Sequence, residues 1–126
     1  MGHILVVDDK EGVRRIIERG LLQAGHKVDL AADGNEALAR AVKTSYDLVV
    51  MDMVMPGLGG LDTIVELRKL EPNIKVIAIS GGDVLEPDLY LRAAQDLGVV
   101  ATLPKPFLID ELVSEVDKAI GNQGYL

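Results

Sequence analysis

The sequence contains no cysteine, which excludes disulfides and metal sites built on thiolates. Its two histidines, His3 and His26, lie too far apart in the sequence to suggest a zinc site. No apolar stretch at the N-terminus has the form of a signal peptide, and none elsewhere is long enough to span a bilayer. We therefore expect a soluble cytoplasmic protein with no membrane partner.

The sequence also lacks an excess of positive charge. Its 13 basic and 20 acidic side chains give a formal net charge of -7. A chain with this net negative charge is repelled by the phosphates of a nucleic acid, so we expect no direct nucleic-acid binding. With 126 residues, 48% of them hydrophobic, and no evident linker, the chain is predicted to form a single domain over residues 1–126.

Short apolar runs alternate with amphipathic segments along the chain. Predicted strands cover residues 4–7, 28–31, 47–51, 76–79 and 99–103, and apolar stripes at helical spacing fall within residues 13–24, 37–42, 61–67, 89–97 and 112–120. Asp33 is predicted to cap the second helix, and Gly81-Gly82 to end the fourth strand. This alternation predicts an α/β fold, a doubly wound five-stranded parallel sheet with five helices.

Reactive side chains follow the strands at the points where the strands end. Asp8 and Asp9 follow the first strand, Asp52 the third, Ser80 the fourth and Lys105 the fifth. Because the carboxyl ends of parallel strands meet at one edge of the sheet, we expect these groups to converge. Clustered carboxylates repel one another, and a hard divalent cation such as Mg²⁺, helped by an ammonium group, offsets that repulsion. An aspartate in this setting can accept a phosphoryl group as a nucleophile.

Single motifs also have ordinary structural explanations. An aspartate pair after a strand is often a helix cap, and a serine before glycines is often a turn residue. Met51, Met53 and Met55 are better explained by core packing than by soft-metal binding. The glycines at 57–60 and 81–82 indicate turns, because no helix-opening Gly-Lys-Ser/Thr sequence follows them.

Four motifs occur together and in a fixed order: Val6-Val7-Asp8-Asp9, Met51-Asp52-Met53-Val54-Met55-Pro56-Gly57, Ser80-Gly81 and Pro104-Lys105-Pro106-Phe107. In this combination the chain resembles the receiver domain of two-component response regulators, over essentially its whole length. The resemblance implies a flavodoxin-like strand order of 2-1-3-4-5. It also implies that a histidine kinase or a phosphotransfer protein phosphorylates Asp52.

The resemblance further implies a role for each site residue. Asp9, Asp52 and the backbone carbonyl of Val54 would ligate Mg²⁺, and Asp8 would act mainly through metal-bound water. Lys105 would pair with the phosphoryl oxygens, or with Asp52 before phosphorylation. Ser80 would donate its hydroxyl to the phosphoryl group. The Lys105-Pro106 peptide resembles one that is cis in this family.

Three positions depart from the family pattern. Thr102, three residues before Lys105, stands where an aromatic residue often reports phosphorylation, so the aromatic half of the switch that would couple to Ser80 is absent. Lys10 follows the acid pair where an acidic residue is frequent, which softens the local negative potential. Val54, two residues beyond Asp52, offers no polar side chain to direct water, so we predict a phosphorylated state that is not unusually short-lived.

The function implied is a signalling switch that changes a binding face, not an enzyme acting on a separate substrate. One alternative is a pseudo-receiver that is never phosphorylated and acts as an interaction module. A second is a small hydrolase, which the apolar Val54 disfavours because it stands where a second acid is needed. The sequence does not assign the output domain or the target protein. It is compatible both with a stand-alone receiver and with a fragment of a longer regulator, and with homodimerisation on phosphorylation.

Overall fold

The structure is a computed structural model, and it describes residues 2–81 and 87–121. Five strands and five helices alternate along these residues. The strands are β1 (His3–Val7), β2 (Lys27–Ala31), β3 (Leu48–Asp52), β4 (Lys75–Gly81) and β5 (Ala101–Lys105). The helices are α1 (Glu11–Gln23), α2 (Gly34–Lys43), α3 (Gly60–Leu70), α4 (Pro87–Asp96) and α5 (Ile109–Ile120). No helix among these residues is long and apolar enough to cross a bilayer.

All neighbouring strands are parallel, and the sheet order is β2-β1-β3-β4-β5. Both the predicted alternation and the strand order implied by the resemblance are therefore confirmed. The order reverses direction between β1 and β3, which is the point where open α/β sheets bind their ligands.

The two faces of the sheet pack against different helices. Leu5 and Val7 of β1 belong to the core that includes α2, α3 and α4, whereas Ile4 and Val6 belong to the core that includes α1 and α5. Because successive side chains of a strand point to opposite faces, a strand covered on both sides has to be apolar throughout. This packing explains the continuous apolar run and confirms the doubly wound architecture.

Local expectations from the sequence are also confirmed. The Asp33 carboxylate accepts a hydrogen bond from the Glu36 N–H at 2.8 Å and so caps α2. Met51, Met53 and Met55 are all buried in the core on the α2, α3 and α4 side, as expected for packing residues.

The predicted fifth strand is displaced by two residues. Val99 completes the turn that ends α4, because its N–H donates to the Ala94 carbonyl after Gly98 has taken a positive φ of 76°. Pro104 lies inside β5 although it has no N–H, which an edge strand tolerates. The predicted break of the fourth strand at Gly81 is wrong, because β4 runs on to Gly81, which still pairs with Lys105 of β5. Gly82 and residues 122–126 lie outside the described residues.

Candidate functional site

The two central strands bring the acidic residues together. Val7 pairs with Met51 in the register of β1 and β3, so the residues that follow them, Asp8 and Asp52, are neighbours at the carboxyl edge. One carboxylate oxygen from each of Asp8, Asp9 and Asp52 lies within 4.8 Å of the other two. Asp8 and Asp52 are only 2% and 3% exposed. The predicted convergence of these carboxylates is therefore what the structure shows.

Lys105 reaches the carboxylates from the last residue of β5. Its Nζ lies 3.0 Å from Asp8 Oδ2 and 3.8 Å from Asp52 Oδ2. The Lys105-Pro106 peptide bond is cis, as the resemblance implied. The ammonium is thus shared by two buried carboxylates, and its shorter contact is with Asp8, whereas the sequence interpretation named Asp52.

Every polar group of Asp8 is engaged in a hydrogen bond. Its N–H donates to the Ala31 carbonyl at 3.2 Å, and its carbonyl accepts from Arg14 Nη1 at 2.7 Å. Its side chain accepts from the Lys10 N–H at 2.9 Å and from Lys105 Nζ at 3.0 Å. Asp8 is therefore held rigidly, and Arg14, which the sequence interpretation did not single out, is one of the residues that hold it.

Asp52 carries an unfavourable charge at neutral pH. The pKa of its carboxyl is raised from 3.8 to about 6, chiefly by burial and then by repulsion from Asp8 and, more weakly, from Asp9. The Val54 N–H, which donates to Asp52 Oδ1 at 3.1 Å, and the Lys105 ammonium act in the opposite direction on this pKa. A cation that enters the cluster would relieve the remaining repulsion.

Two buried oxygens at the same edge have no hydrogen-bond partner in the part of the chain that the structure describes. They are Asp9 Oδ1 and Ser80 Oγ. Buried polar atoms are rarely left unpaired, so such orphans indicate where a ligand binds. An oxygen donor set of three carboxylates fits a hard cation such as Mg²⁺, and the Ser80 hydroxyl fits an anionic group beside it.

The backbone at the start of α3 lies very close to the segment that follows Asp52. A Cβ added at Gly60 would lie 2.6 Å from Met53 Cα and 2.7 Å from the Asp52 carbonyl oxygen. The sequence interpretation assigned Gly57, Gly59 and Gly60 to turns alike. Gly57 does have a positive φ of 77°, whereas Gly60 is required because α3 begins directly against the backbone of the candidate acceptor.

The two predicted switch positions, Ser80 and Thr102, are not linked by a hydrogen bond in the structure. In the β4–β5 register Thr102 pairs with Ala78, and Ser80 pairs with Pro104. The two side chains therefore lie two register positions apart, and the Ser80 hydroxyl makes no hydrogen bond to Thr102.

Comparison with known proteins identifies the family. The family model of the response regulator receiver domain matches residues 4–117. The chain belongs to this family. The receiver domain is 34% identical over 123 residues to an uncharacterized transcriptional regulatory protein of Bacillus subtilis, YkoG, and the match covers 98% of this chain and 53% of that protein. It is 36% identical over 113 residues to the response regulator MprA of Mycolicibacterium vanbaalenii, covering 90% of this chain and 48% of MprA. The chain thus spans about half the length of these relatives.

Solved structures of receiver domains share the fold. A receiver domain protein from Clostridium thermocellum superposes with a TM-score of 0.86 at 29% identity, covering 99% of this chain and 98% of that one. The response regulator TrrA from Thermotoga maritima, solved in complex with Mg²⁺-BeF, gives a TM-score of 0.79 at 34% identity, covering 94% of this chain and 99% of TrrA.

Proposed function

We propose that this receiver domain accepts a phosphoryl group on Asp52 in a Mg²⁺-dependent reaction and thereby switches its conformation. One observation carries the proposal: three carboxylates lie within 4.8 Å of one another, with the Lys105 ammonium 3.0 and 3.8 Å from two of them. The site sits at the carboxyl edge, where the strand order reverses.

The metal would be held by Asp9, Asp52 and the backbone carbonyl of Val54, with Asp8 acting through water. Asp9 Oδ1, which has no hydrogen-bond partner within residues 2–81 and 87–121, supports this assignment, because a buried carboxylate oxygen needs a partner. The solved complex of TrrA with Mg²⁺-BeF supports the same ion here. When bound, Mg²⁺ supplies positive charge that offsets the clustered carboxylates and the phosphoryl oxygens.

The transfer itself is carried by side chains of this chain. An oxygen of the ionised Asp52 carboxylate attacks the phosphorus of a phosphohistidine on the donor protein. As the new O–P bond forms, the P–N bond breaks, and its electron pair returns to the imidazole, which a proton then neutralises. Lys105 pairs with the transferred oxygens, and the buried Ser80 hydroxyl donates to one of them.

The donor is a sensor histidine kinase or a phosphotransfer protein, as the family implies. The phosphorylated domain acts on an output domain or a target protein, and the similarity to YkoG, a transcriptional regulatory protein, and to the response regulator MprA supports a regulatory output. We assign residues 1–126 to one receiver domain that promotes only its own phosphorylation and dephosphorylation. We also place it in the cytoplasm on the strength of its family.

The intact site argues against the alternative functions. A pseudo-receiver has no need of Asp8, Asp9, Asp52 and Lys105 in contact range around a buried serine. A hydrolase needs a second acid near the leaving group, and Val54 stands in that position.

Intact mass after incubation with acetyl phosphate tests the proposal. We expect one phosphate-sized gain in the parent protein, only with Mg²⁺, and none in Asp52→Asn. Asp62→Asn is the matched control, because Asp62 is an exposed carboxylate in the first turn of α3, and it should keep the gain. A parent protein that gains no mass with Mg²⁺ present would favour the pseudo-receiver.

A further inference from the structure

We propose that Arg14 is a positioning residue that fixes the peptide between Asp8 and Asp9 and so aims the Asp9 carboxylate at the metal. This inference rests on the proposed function, because it assigns a residue to the same site. Arg14 lies in α1, and its half-buried guanidinium donates from Nη1 to the Asp8 carbonyl at 2.7 Å.

Arg14 belongs to a closed set of hydrogen bonds that joins β1 to α1. The Lys10 N–H donates to Asp8 Oδ1 at 2.9 Å, and the Arg14 N–H donates to the Lys10 carbonyl at 3.0 Å. The Arg14 side chain then returns to the Asp8 carbonyl. The three residues thus hold the segment between strand and helix from both ends, and Arg14 supplies a charged donor to one of its backbone oxygens.

The position of Asp9 depends on this set because its own side chain does not anchor it. Asp9 Oδ1 is buried and has no hydrogen-bond partner among the described residues. The Asp8 carbonyl belongs to the peptide that leads into Asp9, so fixing that carbonyl fixes the direction in which the Asp9 side chain leaves the backbone. Residues that orient metal ligands from behind commonly affect metal affinity by about tenfold or more.

Arg14 could act on the site as a nearby positive charge or by positioning a ligand, and these two roles predict opposite changes in Mg²⁺ affinity when its side chain is removed. Removing a cation near the site would tighten Mg²⁺ binding if repulsion were its only effect. Removing a residue that positions a ligand weakens binding instead. Arg15 provides the matched control, because it carries the same charge one residue along but is exposed and contacts Glu11 and Glu18.

Calorimetric titration of the full chain with Mg²⁺ alone separates these cases. We expect Arg14→Met, which keeps the stem but removes the donor, to weaken Mg²⁺ binding about tenfold. Arg14→Lys should recover much of the affinity, and Arg15→Ala should bind as the parent does or slightly more tightly. Arg14→Gln also removes the guanidinium and is measured alongside, so that it can replace Arg14→Met in the comparison with the parent and with Arg15→Ala if Arg14→Met does not fold.

Hydrogen exchange at the Lys10 amide gives a second readout in metal-free protein. This N–H bonds to Asp8 Oδ1, so we expect it to exchange several-fold faster in Arg14→Met and unchanged in Arg15→Ala. Unchanged or tighter Mg²⁺ binding by Arg14→Met, or equal weakening in Arg15→Ala, would overturn the inference. A parent protein that binds no Mg²⁺ would instead overturn the proposed function.

Discussion

Replacing Asp52 by asparagine should stabilise the metal-free protein at neutral pH. Burial is the main cause that raises the pKa of the Asp52 carboxyl from 3.8 to about 6 in the folded chain. At about 1.4 kcal/mol per pKa unit, ionising it at pH 7.5 costs the fold about 3 kcal/mol. Asparagine keeps the shape and an acceptor for the Val54 N–H, but it carries no charge.

The sign of the pH dependence follows from the raised pKa. The folded state binds the Asp52 proton more tightly than the unfolded state, so the parent loses stability as pH rises from about 4 through about 6. The advantage of Asp52→Asn should therefore be only about 0.6 kcal/mol at pH 4 and reach up to about 3 kcal/mol at pH 7.5.

Urea unfolding followed by far-ultraviolet circular dichroism, with chelator present, measures this difference. The chain has no tryptophan, so backbone dichroism is the natural signal. Asp96→Asn removes an exposed carboxylate from the last turn of α4 and should change stability by less than about 0.5 kcal/mol. An advantage of Asp52→Asn that is absent at pH 7.5, or equally large at pH 4, would refute the reasoning.

Three further predictions concern the metal, the backbone and the acyl phosphate. Mg²⁺ at a hundred times its dissociation constant should stabilise the parent against urea unfolding by about 2.7 kcal/mol. Asp9→Asn should abolish most of that gain in stability. Equal gains in the parent and in Asp9→Asn would show that Asp9 is not a metal ligand. Gly60→Ala should destabilise the fold by about 1–3 kcal/mol because its Cβ would meet the Met53 backbone. Gly12→Ala lies in open space on α1 and should stabilise the fold by about 0.5–1 kcal/mol. Stability changes of the same sign in both variants would contradict this. Val54→Asn should hasten decay of the phosphorylated form, followed by loss of mass over time, and unchanged decay would refute the role given to Val54.

Patterns that depend on the sheet were predictable from the sequence. The apolar run of β1 indicated a strand covered on both faces, and its side chains do divide between the two cores. Once the strands were known to be parallel, Asp8, Asp52 and Lys105 had to meet at one edge, because each follows or ends a strand on that side. Periodicity and strand direction were sufficient for that much.

Features that depend on distances between separate segments were not predictable. The start of β5 at Ala101 depends on where α4 finishes its last turn, which the apolar residues at 99 and 100 concealed. The shorter contact of Lys105 with Asp8 depends on side-chain geometry within a fraction of an ångström. Arg14 and Gly60 were missed because a helix arginine and a loop glycine look ordinary until their neighbours are known. The position of Arg14 in the first turns of the helix after the acid pair was the one available signal.

The most direct test of the phosphorylation site is to locate the modified residue itself. Borohydride reduces an aspartyl phosphate to homoserine, and peptide mass spectrometry then reads its position after treatment with acetyl phosphate and Mg²⁺. The clustered carboxylates and the raised pKa of Asp52 predict homoserine at position 52 alone, and only when Mg²⁺ was present. Homoserine at another carboxylate, or equal conversion without Mg²⁺, would contradict the account.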